Sequence, residues 1–124
     1  PAGHRLAGRG RVDLRELRGE TFADCPADWG SRIVVDRAFR AAAVERTVRY
    51  EVGDFAGVVD FVHHGLAVAI VPPAVVDPWA DVRLIRIDRP APRIVMSIAI
   101  AVDRELSRSA SALFEAIRRR ASGR

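Results

Sequence analysis

Apolar and polar positions follow two rhythms along this chain, and the clearest change of rhythm falls between Val48 and Pro73. Val48–Val52 alternates apolar with polar, the period of a strand with one covered face. Gly53-Asp54 breaks the alternation, and Asp54 is suited to cap the helix that follows because its carboxylate can accept from free first-turn N–H groups. Phe55, Val58, Val59 and Val62 then recur at helical spacing and form one face. Gly65 stops the helix, since glycine enters the left-handed conformation without steric cost. Leu66–Val71 is a continuous apolar run, as expected of a strand buried on both faces, and Pro72-Pro73 ends it by removing backbone donors. Strand, helix and strand in this order predict a parallel βαβ unit.

The flanking chain repeats these signals. Residues 1–12 are rich in glycine and read as a hinge or connector. Asp13 and Glu16 stand in capping-box spacing around a short helix with Leu14 and Leu17 inside and Gly19 at its end. Thr21–Asp24 is a short strand that runs into the turn-rich loop Cys25–Gly30. A second long helix starts at Gly30 or Ser31. Its apolar face is Val35, Ala38, Phe39 and Ala42, with Arg37 and Arg40 outward. A short apolar piece with Trp79 precedes an alternating strand, Val82–Ile87. Arg89-Pro90-Ala91-Pro92 is a stiff extended connector. Ile94–Val102 reads as a second buried strand that includes Met96 as core. The last helix has Ala110, Leu113, Phe114 and Ile117 inside. The alternation predicts an α/β three-layer sandwich with a mainly parallel sheet.

Composition narrows the classes. A chain of 124 residues can bury a real core in one domain. No apolar run reaches the ~18–20 residues of a membrane span, and no apolar h-region follows the first basic residues, so neither membrane insertion nor a secretory leader is expected. A single cysteine cannot form an internal disulfide, which suits a reducing compartment, and we read the chain as cytoplasmic. The net charge of +4 comes from twenty arginines spread among sixteen acids, without interleaved stacking aromatics. The concentrations at Arg5–Arg18 and Arg118–Arg120 read as solvated surface, so direct DNA binding by these residues is not expected.

Three predicted strands end at Cys25–Gly30, Gly53-Asp54 and Pro72-Pro73. If they are parallel, these loops share the carboxyl edge of one sheet, where open α/β sheets bind ligands. The helix starts at Ser31 and Asp54 would aim free N–H groups at the same crevice. Asp28 and Asp54 oppose an anion there and Arg32 favours one. Trp29 is suited to stack on a flat ligand, although an aromatic in that loop can equally cover the core. Ser31 and Asp54 serve first as helix caps. Pro72-Pro73 is first a strand terminator. His63-His64 lie side by side on a helix, about 100° apart, with no further ligand at metal spacing on the same face, so no metal site is expected. Cys25 has no assigned base and reads as inert. No G-x-S-x-G, G-x-x-x-x-G-K-[ST], H-E-x-x-H or G-x-G-x-x-G motif is present, and neither enzymatic activity nor a cofactor is expected.

These residues resemble a known family. HRLAGRGRVDLRELRGETFADCP, IVVDRAFRAAAV and YEVGDFAGVVDFVHHGLAVAIVPP follow, in order and spacing, the effector-binding region of LysR-type transcriptional regulators. The family pattern is an H-P-L-A opening, a D-L helix, and V-x-D…V-x-x-G-x-G-V-x-x-L-P. Arg5 replaces the usual proline, Ala67 the second glycine and Val71 the leucine. The resemblance implies a fold similar to type-2 periplasmic binding proteins, with a small-molecule effector between two α/β subdomains. It implies that residues 13–88 are subdomain two and that 89–124 return to subdomain one. It also implies a fragment, without the DNA-binding domain through which DNA would be contacted. The implied effector-facing positions are Pro26, Trp29, Gly30, Ser31, Gly53, Asp54, Phe55, Val71 and Pro72. The strand Ile94–Val102 and the last helix would then lack the half-domain they pack on, and self-association by exchange of these elements is expected. A solute-binding module of a transport system, with the same fold, is the alternative. An enzyme using Cys25 or Ser31 is the third reading.

Overall fold

The computed structural model describes residues 1–77, 81–88, 91–101 and 103–122. Trp79, Arg89-Pro90 and Val102, which the sequence reading included in its elements, lie outside them. The chain divides into two compact units, Pro1–Ile94 and Val95–Arg124.

In the first unit the elements are β1 (Arg11–Val12), a 3-10 turn at Leu14–Leu17, β2 (Thr21–Asp24), α1 (Gly30–Ala41), β3 (Thr47–Glu51), α2 (Phe55–His63), a 3-10 turn at Pro73–Val75, and β4 (Arg86–Ile87). β2 pairs with β3 in parallel. On its other edge β2 forms a parallel bridge between Phe22 and Val68. There the Val68 N–H donates to Thr21 O at 2.9 Å and the Ala23 N–H donates to Val68 O at 3.1 Å. The expected common direction of the three segments is therefore present. β1 and β4 form a separate parallel pair.

The register carries one surprise. Phe22 faces Val48, but Ala23 faces Tyr50, so Arg49 is an extra residue in β3. Such a bulge reverses the side on which the following residues lie. Val48 accordingly packs with Phe22, Val35 and Phe39, whereas Tyr50 and Val52 pack with Ala23, Cys25 and Val58. The single covered face expected of Val48–Val52 is thus divided between two cores. The segment after α2 also serves both: Val68 and Ile70 join the first core, and Ala67, Ala69 and Val71 the second. It keeps strand periodicity, yet it is not the doubly buried strand expected for Leu66–Val71. Only Val68 is bridged, and Leu66 is 52% exposed. Likewise the strand expected at Val82–Ile87 is confined to Arg86–Ile87. Strand backbone forms only where a neighbour offers matching groups.

Local chemistry places the helices as the pattern anticipates. The Arg15 N–H donates to Asp13 Oδ1 at 2.8 Å and the Asp13 N–H donates to Glu16 Oε2 at 2.9 Å, a capping box that seats the buried Leu14 and Leu17. Val35 and Phe39 of α1 are buried, with Arg37 and Arg40 exposed. Both long helices of this unit end in the same motif. After α1, Ala43 N–H donates to Arg40 O and Val44 N–H to Phe39 O; after α2, Gly65 N–H donates to Val62 O and Leu66 N–H to Phe61 O. The residue in the left-handed position is Gly65 at φ +72° in one case and Ala43 at φ +54° in the other.

Residues 1–12 contain more than a connector. Leu6 and Val12 are buried, and Arg11–Val12 forms β1. The Leu6 N–H donates to His4 Nδ1, so the proton sits on Nε2, which donates to Glu20 Oε2 at 3.1 Å; Arg5 Nε donates to Glu20 Oε1 at 2.8 Å.

In the second unit, α3 (Arg108–Ser122) follows a stretch without regular structure. The buried strand expected at Ile94–Val102 is not formed over its described residues: Val95 is 84% and Met96 93% exposed, and Met96 is not core. No backbone hydrogen bond reaches residues 94–101 among the described residues, and a strand is not stable without a bonded neighbour. Of the inward face expected for α3, Leu113 (61%) and Ile117 (41%) are exposed, while Ala110 and Phe114 are half-buried.

Two outcomes test this description. Ala43→Gly should raise stability and Gly65→Ala should lower it, each by roughly 1 kcal/mol, because only glycine occupies the left-handed position without steric cost; equal signs in urea melts would overturn the shared motif. Burial alone would raise the Glu20 carboxyl, but hydrogen bonds from His4 and Arg5 and the charge of Arg5 outweigh it and hold it below its ordinary 4.5. A carboxyl depressed in the folded state contributes stability that is complete above that value and is lost as pH falls through the folded one. Glu20→Gln should therefore flatten the fall of Tm with pH below about 4.5, and an unchanged slope would count against the contact.

Candidate functional site

β2 and β3 end at Asp24 and Glu51, and the parallel arrangement brings their following loops to one edge. The Val52 N–H donates to Asp24 O at 2.9 Å and extends the pairing to the brink of both loops. Past Asp24, Cys25 is fully buried. A turn closed by Trp29 N–H to Pro26 O at 3.0 Å leads into α1. α1 begins at Gly30, and its N-cap is Trp29, which supplies no capping side chain. Ser31 is therefore not a cap. It lies within the first turn, its hydroxyl buried and without an ordinary hydrogen-bond partner. At the second loop Asp54 does cap, its carboxylate accepting from the Gly57 N–H at 2.7 Å. A Cβ on Gly57 would stand 2.6 Å from Val52 Cγ1, so the start of α2 lies tight on the end of β3.

Trp29 and Phe55 join the two loops directly, ring centroids 6.3 Å apart and planes at 85°. Edge-to-face contact is a preferred aromatic geometry. Trp29 remains 38% exposed, so its ring both braces Phe55 and keeps a free face. Phe55 and Val71 pack on the core that contains Cys25, Ala23 and Val58. The structure thus brings Trp29, Phe55 and Val71 together around Cys25. Pro26, Gly30, Ser31, Gly53 and Asp54 adjoin them along the chain, and Pro72 follows Val71.

The charges differ from the expectation that Arg32 favours an anion. Arg32 Nε donates to Asp36 Oδ2 at 2.9 Å and its Nη1 donates to Cys25 O at 3.0 Å; the side chain is 13% exposed. Arg46, 3% exposed, donates to Asp24 Oδ2 at 2.7 Å and to Asp36 Oδ1 at 2.6 Å. Its guanidinium lies 5.1 Å from the Phe22 centroid and 5.3 Å from that of Phe39. Asp24 Oδ1 in turn accepts from the Cys25 N–H at 2.7 Å. Both arginines are therefore committed to holding the root of the Cys25–Trp29 loop. Asp24, Asp36 and Arg46 were absent from the sequence-derived site. The available signal was an acid closing the apolar strand TFAD, but its partner stands 22 residues away.

Cys25 is a free, buried thiol whose pKa burial pushes up; the Asp24 and Asp54 carboxylates add to that, with Ser31 and Arg32 opposing. A neutral buried thiol is a poor nucleophile. His63 and His64 are exposed, and His64 Nδ1 lies 2.8 Å from Asp60 O. Among the described residues no group of three or more His, Cys, Asp or Glu is placed to hold a metal ion. No helix of the described residues is long and apolar enough to cross a membrane. An apolar hollow of the first unit is bordered by Leu6, Val12, Val68, Ile70 and Leu84, and by no residue of the Cys25–Gly30 or Gly53-Asp54 loops. Among the predicted ligand positions it touches only Val71.

The parallel α/β fold is periplasmic-binding-protein-like, and comparison with known proteins agrees. The structure is similar to the Synechocystis PCC6803 CcmR regulatory domain in complex with 2-PG (TM-score 0.75, 17% identity, 94% of this chain and 57% of that one). It is also similar to HinK, a LysR family transcriptional regulator from Pseudomonas aeruginosa (TM-score 0.72, 19% identity, 97% of this chain and 42% of that one). The family described as LysR substrate binding domain matches residues 1–122, and the chain belongs to that family. A curated relative, the uncharacterized HTH-type transcriptional regulator YybE of Bacillus subtilis (strain 168), is 29% identical over 107 residues, 86% of this chain. The chain spans 37% of the length of that relative.

The buried ion pairs generate a stability test. Arg46→Met should cost about 3–5 kcal/mol, the range for removing one partner of a buried pair, and adding Asp24→Asn should recover part of the loss. Strict additivity of the two substitutions in denaturant melts would show that they are not coupled.

Proposed function

We propose that this chain senses a small-molecule effector as part of a LysR-type transcriptional regulator. The effector would lie at the carboxyl edge of β2 and β3, against Pro26, Trp29, Gly30, Ser31, Gly53, Asp54, Phe55, Val71 and Pro72. The observation that carries the reading is the Trp29–Phe55 contact, which couples two loops of one sheet edge into a single platform with a partly open aromatic face. A ligand touching both loops biases their relative arrangement by its differential affinity for two states. A DNA-binding part in the longer protein would read out that bias. In this reading the chain acts in the cytoplasm as a homo-oligomer, contacts DNA only through that other part, and catalyses nothing. Family membership favours regulation over the transport alternative.

The ligand chemistry follows from which charges are free. Arg32 and Arg46 are already bonded, while Asp54 is exposed and Asp28 lies in the open loop. Recognition therefore rests on stacking against Trp29 and on backbone groups rather than on a free cation. A thermal-shift panel of small carboxylates, 2-PG and single-ring aromatics tests this. A ligand at 100 times its Kd should stabilise the chain by about 2.7 kcal/mol. The shift should be lost with Trp29→Ala, which leaves the buried ion pairs in place. A binder indifferent to Trp29→Ala and to Phe55→Leu would overturn the placement.

A further inference from the structure

We infer that His4 is a proton-operated latch, which fastens the backbone at Leu6 only while its ring is neutral. The ring has two partners with opposite demands. Its Nδ1 accepts from the Leu6 N–H at 3.2 Å, and its Nε2 donates to Glu20 Oε2 at 3.1 Å. A neutral imidazole has one donor and one acceptor nitrogen, and only the tautomer with its proton on Nε2 meets both demands. A second proton can enter only at Nδ1, where it sets a donor against a donor. The Leu6 N–H then loses its acceptor, while the Glu20 contact gains charge. Protonation thus gives up the inner fastening and keeps the outer one.

The two fastenings are not equally replaceable. Glu20 is also held by Arg5 Nε at 2.8 Å, and Arg9 pairs with Glu16 Oε1 at 3.1 Å, so the outer side survives without the ring. Among the described residues the Leu6 N–H has no acceptor but His4, and Leu6 is buried in the first core with Leu14 and Leu17. Histidine is the side chain that ordinarily changes charge between about pH 5 and 8. The charged groups around the ring are Glu20 and Arg5 and, across an adjoining hollow, the Pro1 amine, His63, His64 and Asp81. Burial pushes the Pro1 amine below its ordinary 8.0, with the Asp81 charge opposing, so that amine is the rival source of a pH response here. Where residues 1–12 serve as a hinge, as the family resemblance implies, the latch sets how firmly the hinge is held; the latch itself does not depend on that reading.

Amide exchange of the 124-residue chain between about pH 5 and 8, corrected for intrinsic rates, tests the latch. Protection of the Leu6 amide should fall about tenfold as the His4 ring, followed by its nitrogen NMR shifts, takes its second proton. Asparagine places a carbonyl oxygen near the position of Nδ1, and glutamine places an amide donor near that of Nε2, and neither titrates. His4→Asn should therefore keep Leu6 protected at every pH, and His4→Gln should leave it unprotected at every pH. Protection of Leu6 that stays constant through the His4 titration would overturn the latch. So would a pH response that persists in His4→Asn, because it would then belong to the Pro1 amine or another neighbour.

Discussion

The first unit depends on β2 having a parallel partner on both of its edges. Four residues, Thr21–Asp24, are bonded to β3 on one side and to Val68 on the other. Parallel strands cannot be joined by a tight turn, so each partner must be delivered by a helix crossing a face of the sheet. α1 delivers β3 and α2 delivers the Ala67–Val71 segment. The two cores are the two faces that these crossings cover, and Phe22 and Ala23, both fully buried, are adjacent residues directed into opposite ones. Because all partners run in one direction, the chain leaves β2 and β3 at a common edge. The Cys25–Trp29 and Gly53-Asp54 loops have no other place to go.

How much of this could be read from residues differs by the range of the interaction. The caps at Asp13 and Asp54 and the stop at Gly65 depend on groups within a few residues, and the pattern exposes them. The helix faces of α1 and α2 likewise follow from spacing alone. The bulge at Arg49 does not, because it is a property of register against β2, which the residues of β3 cannot encode by themselves. The Asp24–Arg46 pair is invisible for the same reason. The helix start at Gly30 is one of the two that the pattern allows. Ser31 as the cap misled because serine is a common cap, whereas here the turn closed by Trp29 makes Trp29, two residues earlier, the N-cap. Of the candidate site, the loop positions were legible as strand ends. The contact that joins them, Trp29 against Phe55, was not.

The buried charges sharpen what the edge can recognise. A guanidinium held by Asp24 and Asp36 through its two Nη groups and flanked by Phe22 and Phe39 is desolvated, and its Nε is buried without a hydrogen-bond partner. Truncating such a group leaves an uncompensated carboxylate, so the network works as an anchor for the loop root rather than as a binding cation. Arg32 extends that anchor to the Cys25 carbonyl. The cost of moving the loop root is therefore high.

Two apolar runs of comparable composition meet opposite fates. Ala67–Val71 sends alternate residues into two cores, while Val95–Ala101 lies exposed. Hydrophobicity does not distinguish them, since both are rich in Ala, Val and Ile. The difference lies in whether a neighbour offers backbone groups at the right spacing: Thr21 and Ala23 do so for Val68, and among the described residues nothing does so for 95–101. Strand propensity is largely a statement about fit to a pleated surface, and a run without that surface gains neither ladder bonds nor side-chain cover. The periodicity of an apolar run thus predicts which face it would bury, and only topology decides whether it buries one.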